Sequence, residues 1–325
     1  MSKPRILLIG AGSMGSLHAR VISQSPLVEL ATVIDPRKDV GGALADRFGA
    51  TWAPAFSSLA GVDGVVVAAA TEAHFELAME VIEAGIPLLV EKPMSDGLEK
   101  TMAILDRAET LNVPIMCGLL ERFNPAVVTA KALLDSPLYV TATRHSPYVP
   151  RIRTGVSWDL LVHDIDLAIG ILGGTPTLVT GTLSQFHPSS ISGAEDVAEV
   201  VLGFESGGTA HISASRIGQR KIRTLSIHEL DRMVEVDLLR RDVTVYHHVS
   251  GQADDDGRGY KQQTVIEIPE LLTSQEPLAA QLDHFTALIA GTVDADAERN
   301  SIIPSHRVVD KLKNGRPVGP PVLRP

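Results

Sequence analysis

This sequence has only one cysteine, no long apolar run and no excess of positive charge. Its single cysteine, Cys117, excludes a framework of disulfide bonds and is typical of a protein in a reducing compartment. No segment reaches the roughly 20 apolar residues of a membrane span, and the apolar residues after Arg5 are too few for a signal peptide. We therefore expect a cytoplasmic protein.

The charge balance excludes further classes of partner. Asp and Glu number 39 against 29 Lys and Arg, a formal net charge of −10, and the basic residues are scattered along the chain. This argues against binding to nucleic acid or to an anionic membrane. It leaves room for an anionic small-molecule substrate, since a few clustered arginines would be enough to hold one.

The length of 325 residues suggests about two domains, and the first third alternates strand-like and helix-like segments. Buried strands are predicted at 5–9, 28–34, 62–69, 87–90 and 114–119, with amphipathic helices between several of them. Strands separated by helices predict an α/β fold with a parallel, doubly wound sheet over residues 1–120.

The pattern changes after residue 120. One helix is predicted at about 159–172, and strands separated by turns follow, such as 199–204 and 209–215. These segments predict a C-terminal α+β domain over residues 121–325, built on an open, largely antiparallel sheet. Because the apolar residues on the open face of such a sheet need cover, we expect a homo-oligomer, a dimer or tetramer, that packs through this domain.

A glycine-rich motif joins the first strand to the first helix. The motif is Gly10-Ala11-Gly12-Ser13-Met14-Gly15, and Asp35 ends the second strand about 20 residues later. In that setting Gly10 permits a tight turn, Gly12 lets a pyrophosphate approach the backbone, and Gly15 lets helix and strand pack closely. The pattern indicates a Rossmann dinucleotide-binding domain, and the alternative is a glycine-rich surface turn followed by a capping aspartate.

Asp35 also bears on the choice of cofactor. A carboxylate there can bind the ribose 2′-hydroxyl of NAD and would repel the 2′-phosphate of NADP. Arg37 and Lys38 follow directly and could soften that preference. NAD is therefore the expected cofactor, with NADP as the alternative.

Two further segments carry residues suited to chemistry. Lys92, in Glu91-Lys92-Pro93, follows a strand at the sheet edge where doubly wound folds bind ligands, although a lysine in a loop is also common. On the first helix of the second domain, Asp159, His163 and Asp166 share one face at 3.6 residues per turn. A carboxylate one turn from a histidine suits a general base, but the same stripe could be a solvated face or a metal site.

Together these motifs resemble the Gfo/Idh/MocA family, named for glucose–fructose oxidoreductase and inositol dehydrogenase. The matching residues are Gly10 to Gly15 with His18, Thr71 and His74 leading to Glu91-Lys92-Pro93, Asp159 with His163, and Glu276-Pro277-Leu278. The resemblance is strong over residues 1–175 and continues to about residue 312. One departure is the absence of a proline after Thr71, which concerns the shape of a loop and no chemistry.

The resemblance implies a Rossmann domain, an open-sheet domain, and reversible oxidation of a secondary alcohol on a sugar, cyclitol or nucleotide sugar. It assigns Lys92, Asp159 and His163 to catalysis, with His163 as the acid/base, and it disfavours the metal site. The cofactor-binding residues expected from the motifs and the resemblance together are Gly10, Gly12, Ser13, Met14, Gly15, Asp35, Arg37, Thr71, His74, Glu91 and Lys92.

A group of arginines suggests a narrower class of substrate. The stretch Glu121-Arg122-Phe123-Asn124-Pro125-Ala126, with Arg144 and Arg151, resembles the branch of the family that acts on UDP-N-acetyl-hexosamines, and arginines suit a diphosphate. We therefore expect Arg122, Arg144 and Arg151, with Asp159 and His163, to contact the substrate. Taken singly, each arginine is better explained as a structural or surface residue.

Two other functions stay open at this point. One is an inositol-type dehydrogenase whose substrate carries no phosphate, and the other is a dinucleotide-binding regulator that has lost catalysis. Intact Lys92, Asp159 and His163 argue against the regulator, since a sensor need not keep all three. His18 and Cys117 are expected to be packed interior residues.

Overall fold

The first unit of the structure is a parallel sheet with helices between its strands. The computed structural model describes residues 3–55, 59–150, 152, 154–250 and 262–315, and within them six strands pair in the order β3-β2-β1-β4-β5-β6. The strands are β1 (Arg5–Ile9), β2 (Glu29–Ile34), β3 (Thr51–Ala53), β4 (Gly64–Val67), β5 (Leu88–Val90) and β6 (Ile115–Cys117). The helices are α1 (Ser13–Gln24), α2 (Lys38–Phe48), α3 (Thr71–Glu83) and α4 (Leu98–Thr110). This strand order is that of a Rossmann sheet, so the predicted fold of this part is confirmed.

Burial explains why an apolar run such as β4 becomes a strand. Its residues are all buried, and Val65, Val66 and Val67 are 0% exposed. A strand in the middle of a parallel sheet is covered on both faces, which is why its sequence is continuously apolar. Burying each such side chain contributes about 1.5–3 kcal/mol of hydrophobic stabilisation.

The second unit is built on a larger sheet. Among the described residues it has eight strands in the order β14-β13-β12-β11-β7-β10-β9-β8, and neighbours are antiparallel except for β7 and β10. The strands are β7 (Tyr139–His145), β8 (Leu178–Ser184), β9 (Val197–Gly203), β10 (Thr209–Ser215), β11 (Ile222–His228), β12 (Arg232–Asp237), β13 (Asp242–Ser250) and β14 (Gln262–Glu267). Helix α5 (Pro125–Leu133) packs on β12 and β13, and α6 (Val162–Leu172) packs on β7 and β10. The predicted α+β architecture with a largely antiparallel sheet is confirmed.

The predicted hairpin shows how this sheet separates its two faces. Strands β9 and β10 pair from Gly203 opposite Thr209, as the turn signal between them predicts. Ala198, Val200 and Leu202 on β9 are buried, while the residues between them are only partly covered. Side chains alternate between the faces of a strand, so one face belongs to the core and the other is open.

The compact units differ from the predicted domain boundaries in one respect. The first unit comprises residues 1–123 and also 275–307, while the second comprises 124–274 and the described residues from 308 onward. The added segment carries α7 (Pro277–Ile289), α8 (Ala295–Asn300) and the start of α9 (Ile303–Asn314). Its apolar stripe, which includes Leu282 and Phe285, joins the same hydrophobic core as β1. A helix that comes late in the sequence therefore completes the first unit, because its apolar face packs into the core of that unit.

Candidate active site

The glycine motif forms the turn between β1 and α1. Gly10 has a φ of 101°, a left-handed value that favours glycine, and a side chain there would collide with the Ala68 carbonyl. A side chain on Gly15 would overlap the carbonyl of Gly10, so helix and strand can pack closely only with glycine at this position. Gly12 has open space where a Cβ would lie. These three environments match the roles predicted for a dinucleotide turn.

The amino end of α1 suits a phosphate. The helix begins at Ser13, followed by Met14, and no side chain caps it at Gly12. The first N–H groups of a helix lack partners within the helix and carry its partial positive charge, so they bind anions. The residues present therefore fit the pyrophosphate of a dinucleotide.

Asp35 lies directly beside this turn and is almost fully buried. Its carboxylate accepts hydrogen bonds from the Ala11 backbone N–H, at 2.9 Å, and from Nε and Nη2 of Arg37, each also at 2.9 Å. The Arg37 side chain, together with the backbone N–H groups of Ala11 and Arg37, lowers the pKa of Asp35 to about 2 in spite of burial. The carboxylate is thus ionised at neutral pH and is paired with a guanidinium that is more than half exposed.

Lys92 follows β5 at the carboxyl edge of the same sheet, as predicted. The neighbouring Glu91 carboxylate is buried and lies 2.7 Å from Nε2 of His18, so the predicted interior histidine has a specific partner. His74, on α3, is buried between the carbonyls of Ala69 and Pro93. Both Glu91 and His74 were expected at the cofactor: Glu91 belongs to the segment that carries Lys92, and His74 contacts that segment at Pro93.

Thr71 occupies the first position of α3. The residue that precedes the helix is Ala70, which has no side chain to cap it. Thr71, expected at the cofactor, is thus the first residue of the helix and not its cap.

In the second unit, Asp159 and His163 lie on consecutive turns of different helical type. Residues Ser157–Leu161 form a π-helical turn, and α6 begins immediately after it, with His163 in its first turn. The sequence predicts one α-helix from about residue 159, so the start of that prediction is wrong. Short π-helical segments occur often at functional sites because they displace side chains from the regular spacing.

A buried glutamate holds the start of the π-helical turn. Glu195 is fully buried, and its Oε1 accepts the Ser157 backbone N–H at 2.9 Å while its Oε2 lies 3.1 Å from Nζ of Lys313. A side chain on Gly155 would overlap the Glu195 carboxylate, so glycine is required for this approach. The turn that carries Asp159 is thus anchored to a charged pair in the same unit.

Asp159 has a cationic neighbour that sequence reasoning missed. Nη2 of Arg216, a buried residue directly after β10, lies 3.5 Å from Oδ2 of Asp159 and also donates to the Thr154 carbonyl. No local spacing links positions 57 residues apart, so only the fold reveals this pair. Arg216 thus pairs with Asp159 and restrains its position.

The predicted substrate arginines have structural partners. Nε and Nη2 of Arg144 each donate to Asp164 at 2.7 Å, and both side chains are 2% exposed. Arg122 donates to the side chain and to the carbonyl of Ser301, at 2.7 and 2.9 Å. Arg151 lies outside the described residues. The structure therefore gives Arg144 and Arg122 roles in holding the fold.

The described residues form neither a metal-ligand cluster nor a helix that spans a membrane. Within the ranges that the structure describes, no group of three His, Cys, Asp or Glu side chains could hold a metal ion. In the same ranges no helix is long and apolar enough to cross a membrane. Cys117 is buried at the end of β6, in keeping with a packed interior residue.

Comparison with known proteins agrees with this geometry. Residues 4–119 match the model of an oxidoreductase family with an NAD-binding Rossmann fold, and residues 127–230 match the GFO/IDH/MocA C-terminal domain. UDP-N-acetylglucosamine 3-dehydrogenase of Acidithiobacillus ferrooxidans is 27% identical over 87% of this chain and 88% of its own. Its solved structure has a TM-score of 0.81, with 97% of this chain and 99% of that chain covered at 26% identity. Inositol 2-dehydrogenase of Rhizobium meliloti is 29% identical over 65% of this chain and 68% of its own.

Proposed function

Because the chain belongs to the GFO/IDH/MocA family of NAD-binding oxidoreductases, and so acts on a secondary alcohol, we propose that its substrate is a UDP-N-acetyl-hexosamine. The observation that carries this proposal is the likeness to UDP-N-acetylglucosamine 3-dehydrogenase along nearly the whole of both chains. The likeness to inositol 2-dehydrogenase covers about two thirds of each chain and supports a cyclitol as the second candidate.

The residues of the first unit are proposed to bind and orient the cofactor. NAD supplies the acceptor for the hydride that leaves the alcohol carbon. The α1 amino end with Gly12, Ser13 and Met14 would hold the pyrophosphate, and Asp35 with Arg37 would hold the adenosine ribose. Lys92 would donate a hydrogen bond to the reacting oxygen.

The residues of the second unit are proposed to move the proton. His163 takes the hydroxyl proton of the alcohol as hydride departs, which avoids a protonated carbonyl product. Asp159 stabilises the resulting imidazolium, and Arg216 restrains Asp159 by pairing with it. The role of Lys92 is proposed from the first unit alone, and the roles of Asp159 and His163 are proposed from the second unit alone.

The proposed substrate class is tested by a turnover screen. UDP-N-acetylglucosamine, UDP-N-acetylgalactosamine, UDP-glucose, myo-inositol, scyllo-inositol and free hexoses are each offered with NAD, and NADH formation is followed by absorbance. We expect turnover with a UDP-N-acetyl-hexosamine and heat of binding for it by calorimetry. Turnover with an inositol, without binding of any UDP-sugar, would contradict the proposal and favour the second candidate.

Arg151 is proposed to contact the diphosphate of the substrate. Arg151→Ala is expected to raise KM for the UDP-sugar much more than KM for NAD, because a charge-assisted contact to the sugar nucleotide is lost. Arg122→Ala is the matched comparison, since its guanidinium is bound to Ser301. An equal effect of Arg151→Ala on both Michaelis constants would contradict this role.

A further inference from the structure

Three buried histidines surround the short segment that carries Lys92. The segment runs through Glu91, Lys92, Pro93 and Met94, directly after β5. His18 on α1, His74 on α3 and His306 on α9 are 2%, 1% and 0% exposed. Each comes from a different helix of the first unit, and each contacts a different residue of the segment.

His18 acts on the segment through Glu91. Nε2 of His18 donates to Oε1 of Glu91 at 2.7 Å, and Oε2 of Glu91 accepts the Lys92 backbone N–H at 3.2 Å. A Cβ on Gly118 would lie 2.8 Å from Oε2, so the glycine makes room for this carboxylate. The histidine fixes the carboxylate, and the carboxylate fixes the amide that begins Lys92.

His306 holds the other end of the segment. Its Nδ1 lies 2.9 Å from the Ile302 carbonyl, which can only accept, so Nδ1 carries the proton. Nε2 is then the acceptor, and the Met94 backbone N–H points to it at 3.5 Å. The carbonyl of the helix thus favours the tautomer with Nδ1 protonated, in which Nε2 can accept a hydrogen bond from the Met94 N–H.

His74 contacts the segment in the middle. Its Nδ1 lies 2.9 Å from the Pro93 carbonyl, and its Nε2 lies 3.1 Å from the Ala69 carbonyl, just beyond β4. Carbonyl oxygens can only accept, so the ring donates to one of them through whichever nitrogen carries the proton. The ring thus lies between the segment after β5 and the end of the neighbouring strand and contacts both.

We infer that His18, His74 and His306 are positioning residues that fix the backbone on both sides of Lys92. The inference rests on the proposed role of Lys92 in the reaction. A lysine side chain has a flexible four-carbon stem, so a fixed backbone reduces the range over which its ammonium group moves. Positioning of this kind is what a group that binds a reacting oxygen needs.

The test compares apolar and amide replacements of each histidine. His18→Leu, His74→Leu and His306→Leu remove the polar contact, whereas His18→Gln, His74→Asn and His306→Gln return an amide near the contacting nitrogen. His284→Leu is the control, because His284 is a partly buried histidine of the same unit that bonds Glu298, away from the segment. Thermal melting shows that each variant is folded.

Two readouts are measured on the whole protein. One is hydrogen exchange of the peptide that contains residues 91–95, and the other is kcat with the substrate found in the screen, beside the Kd for NADH. We expect each Leu variant to exchange about 10-fold faster and to lose about 10-fold in kcat, since one buried hydrogen bond is worth about a factor of ten. The amide variants should recover most of the slow exchange and most of the kcat, and the Kd for NADH should change little in all variants.

Four outcomes distinguish a failure of this inference from a failure of the proposed function. Unchanged exchange in the Leu variants, or the same losses in His284→Leu, would overturn the inference. Equal losses in the Leu and amide variants would overturn it too, because a purely structural effect of the ring would then suffice. Normal kcat in Lys92→Ala would instead overturn the proposed role of Lys92, and faster exchange in the Leu variants would still support the contacts.

Discussion

At the scale of single residues, the contact between Asp35 and Arg37 sets an expectation for the choice of cofactor. Arg37 neutralises the Asp35 carboxylate and presents an exposed guanidinium beside it. Arg37→Ala should therefore lower kcat/KM with NADP more than with NAD, by about 10-fold, because the unscreened carboxylate then faces the 2′-phosphate. Asp35→Ala should shift the ratio the other way and weaken NAD binding.

The measurement is kcat/KM with both cofactors for each variant. Lys38→Ala is the control, because Lys38 is the next cation along the chain and lies over the Trp52 ring instead of at Asp35. Equal effects of Asp35→Ala on the two cofactors would contradict the assigned contact with the ribose.

Sequence reasoning found residues whose role depends on local position and missed those whose partner is distant. Asp35 could be predicted because it ends a strand at a fixed distance from a glycine motif. Arg216 could not, since its contact with Asp159 depends on how a strand end meets a helical turn. Arg144 was expected at a phosphate for the same reason: its partner, Asp164, lies on a helix whose packing on β7 is a property of the fold.

At the scale of elements, the Arg144–Asp164 pair fixes α6 against β7. Both side chains are almost inaccessible, so removing one charge leaves the other buried without this ion-pair partner. Arg144→Met should reduce the free energy of unfolding by about 3–5 kcal/mol, measured by urea denaturation. The double variant Arg144→Met, Asp164→Leu should lose less, because no buried charge remains.

An exposed ion pair provides the control for that measurement. Arg107 and Glu83 are bonded on the surface of the first unit. Arg107→Ala should hardly move the urea midpoint, since solvent screens exposed pairs. A loss in Arg144→Met as small as that in Arg107→Ala would contradict the structural role of the buried pair.

The helix that carries His163 shows why element boundaries are harder to predict than element identity. Its apolar residues recur at helical spacing, and α6 is confirmed through Leu172. Its start is π-helical, and the first N–H of that turn, from Ser157, donates to Glu195, which is 38 residues away in sequence. The regular spacing assumed for Asp159 and His163 therefore does not hold across this turn.

At the scale of the whole molecule, the alternation of strand and helix and the change of pattern after residue 120 were enough to predict both architectures. The place of α7 was not predictable from its stripe of apolar residues alone. Amphipathic periodicity shows that one face is buried, but it does not show against which core. That is why residues 275–307 were expected in the second domain and lie in the first unit.

The open face of the second sheet leads to a prediction about assembly. Val197 and Val201 point away from the buried face of β9 and are only partly covered. We propose that a second copy covers this face, as apolar sheet surfaces require. The wild type should then show at least a dimeric mass by light scattering at micromolar concentration, and Val201→Lys should lower it. Leu230→Lys, at a fully exposed turn, is the control, and a monomeric wild type would contradict the prediction.

In the proposed reaction His163 removes the proton of the alcohol, and the dependence of kcat on pH tests this role. The oxidation is measured on the substrate from the screen for the wild type, Asp159→Asn and His163→Ala. We expect kcat of the wild type to rise with pH as the imidazole loses its proton. His163→Ala should lower kcat by about 10²–10⁴ and abolish this rise with pH, while its affinity for NAD stays unchanged. Asp159→Asn should lower kcat less than His163→Ala does, because it disturbs the orientation of the base without removing it. A His163→Ala variant with near-normal kcat and an unchanged pH profile would contradict the account.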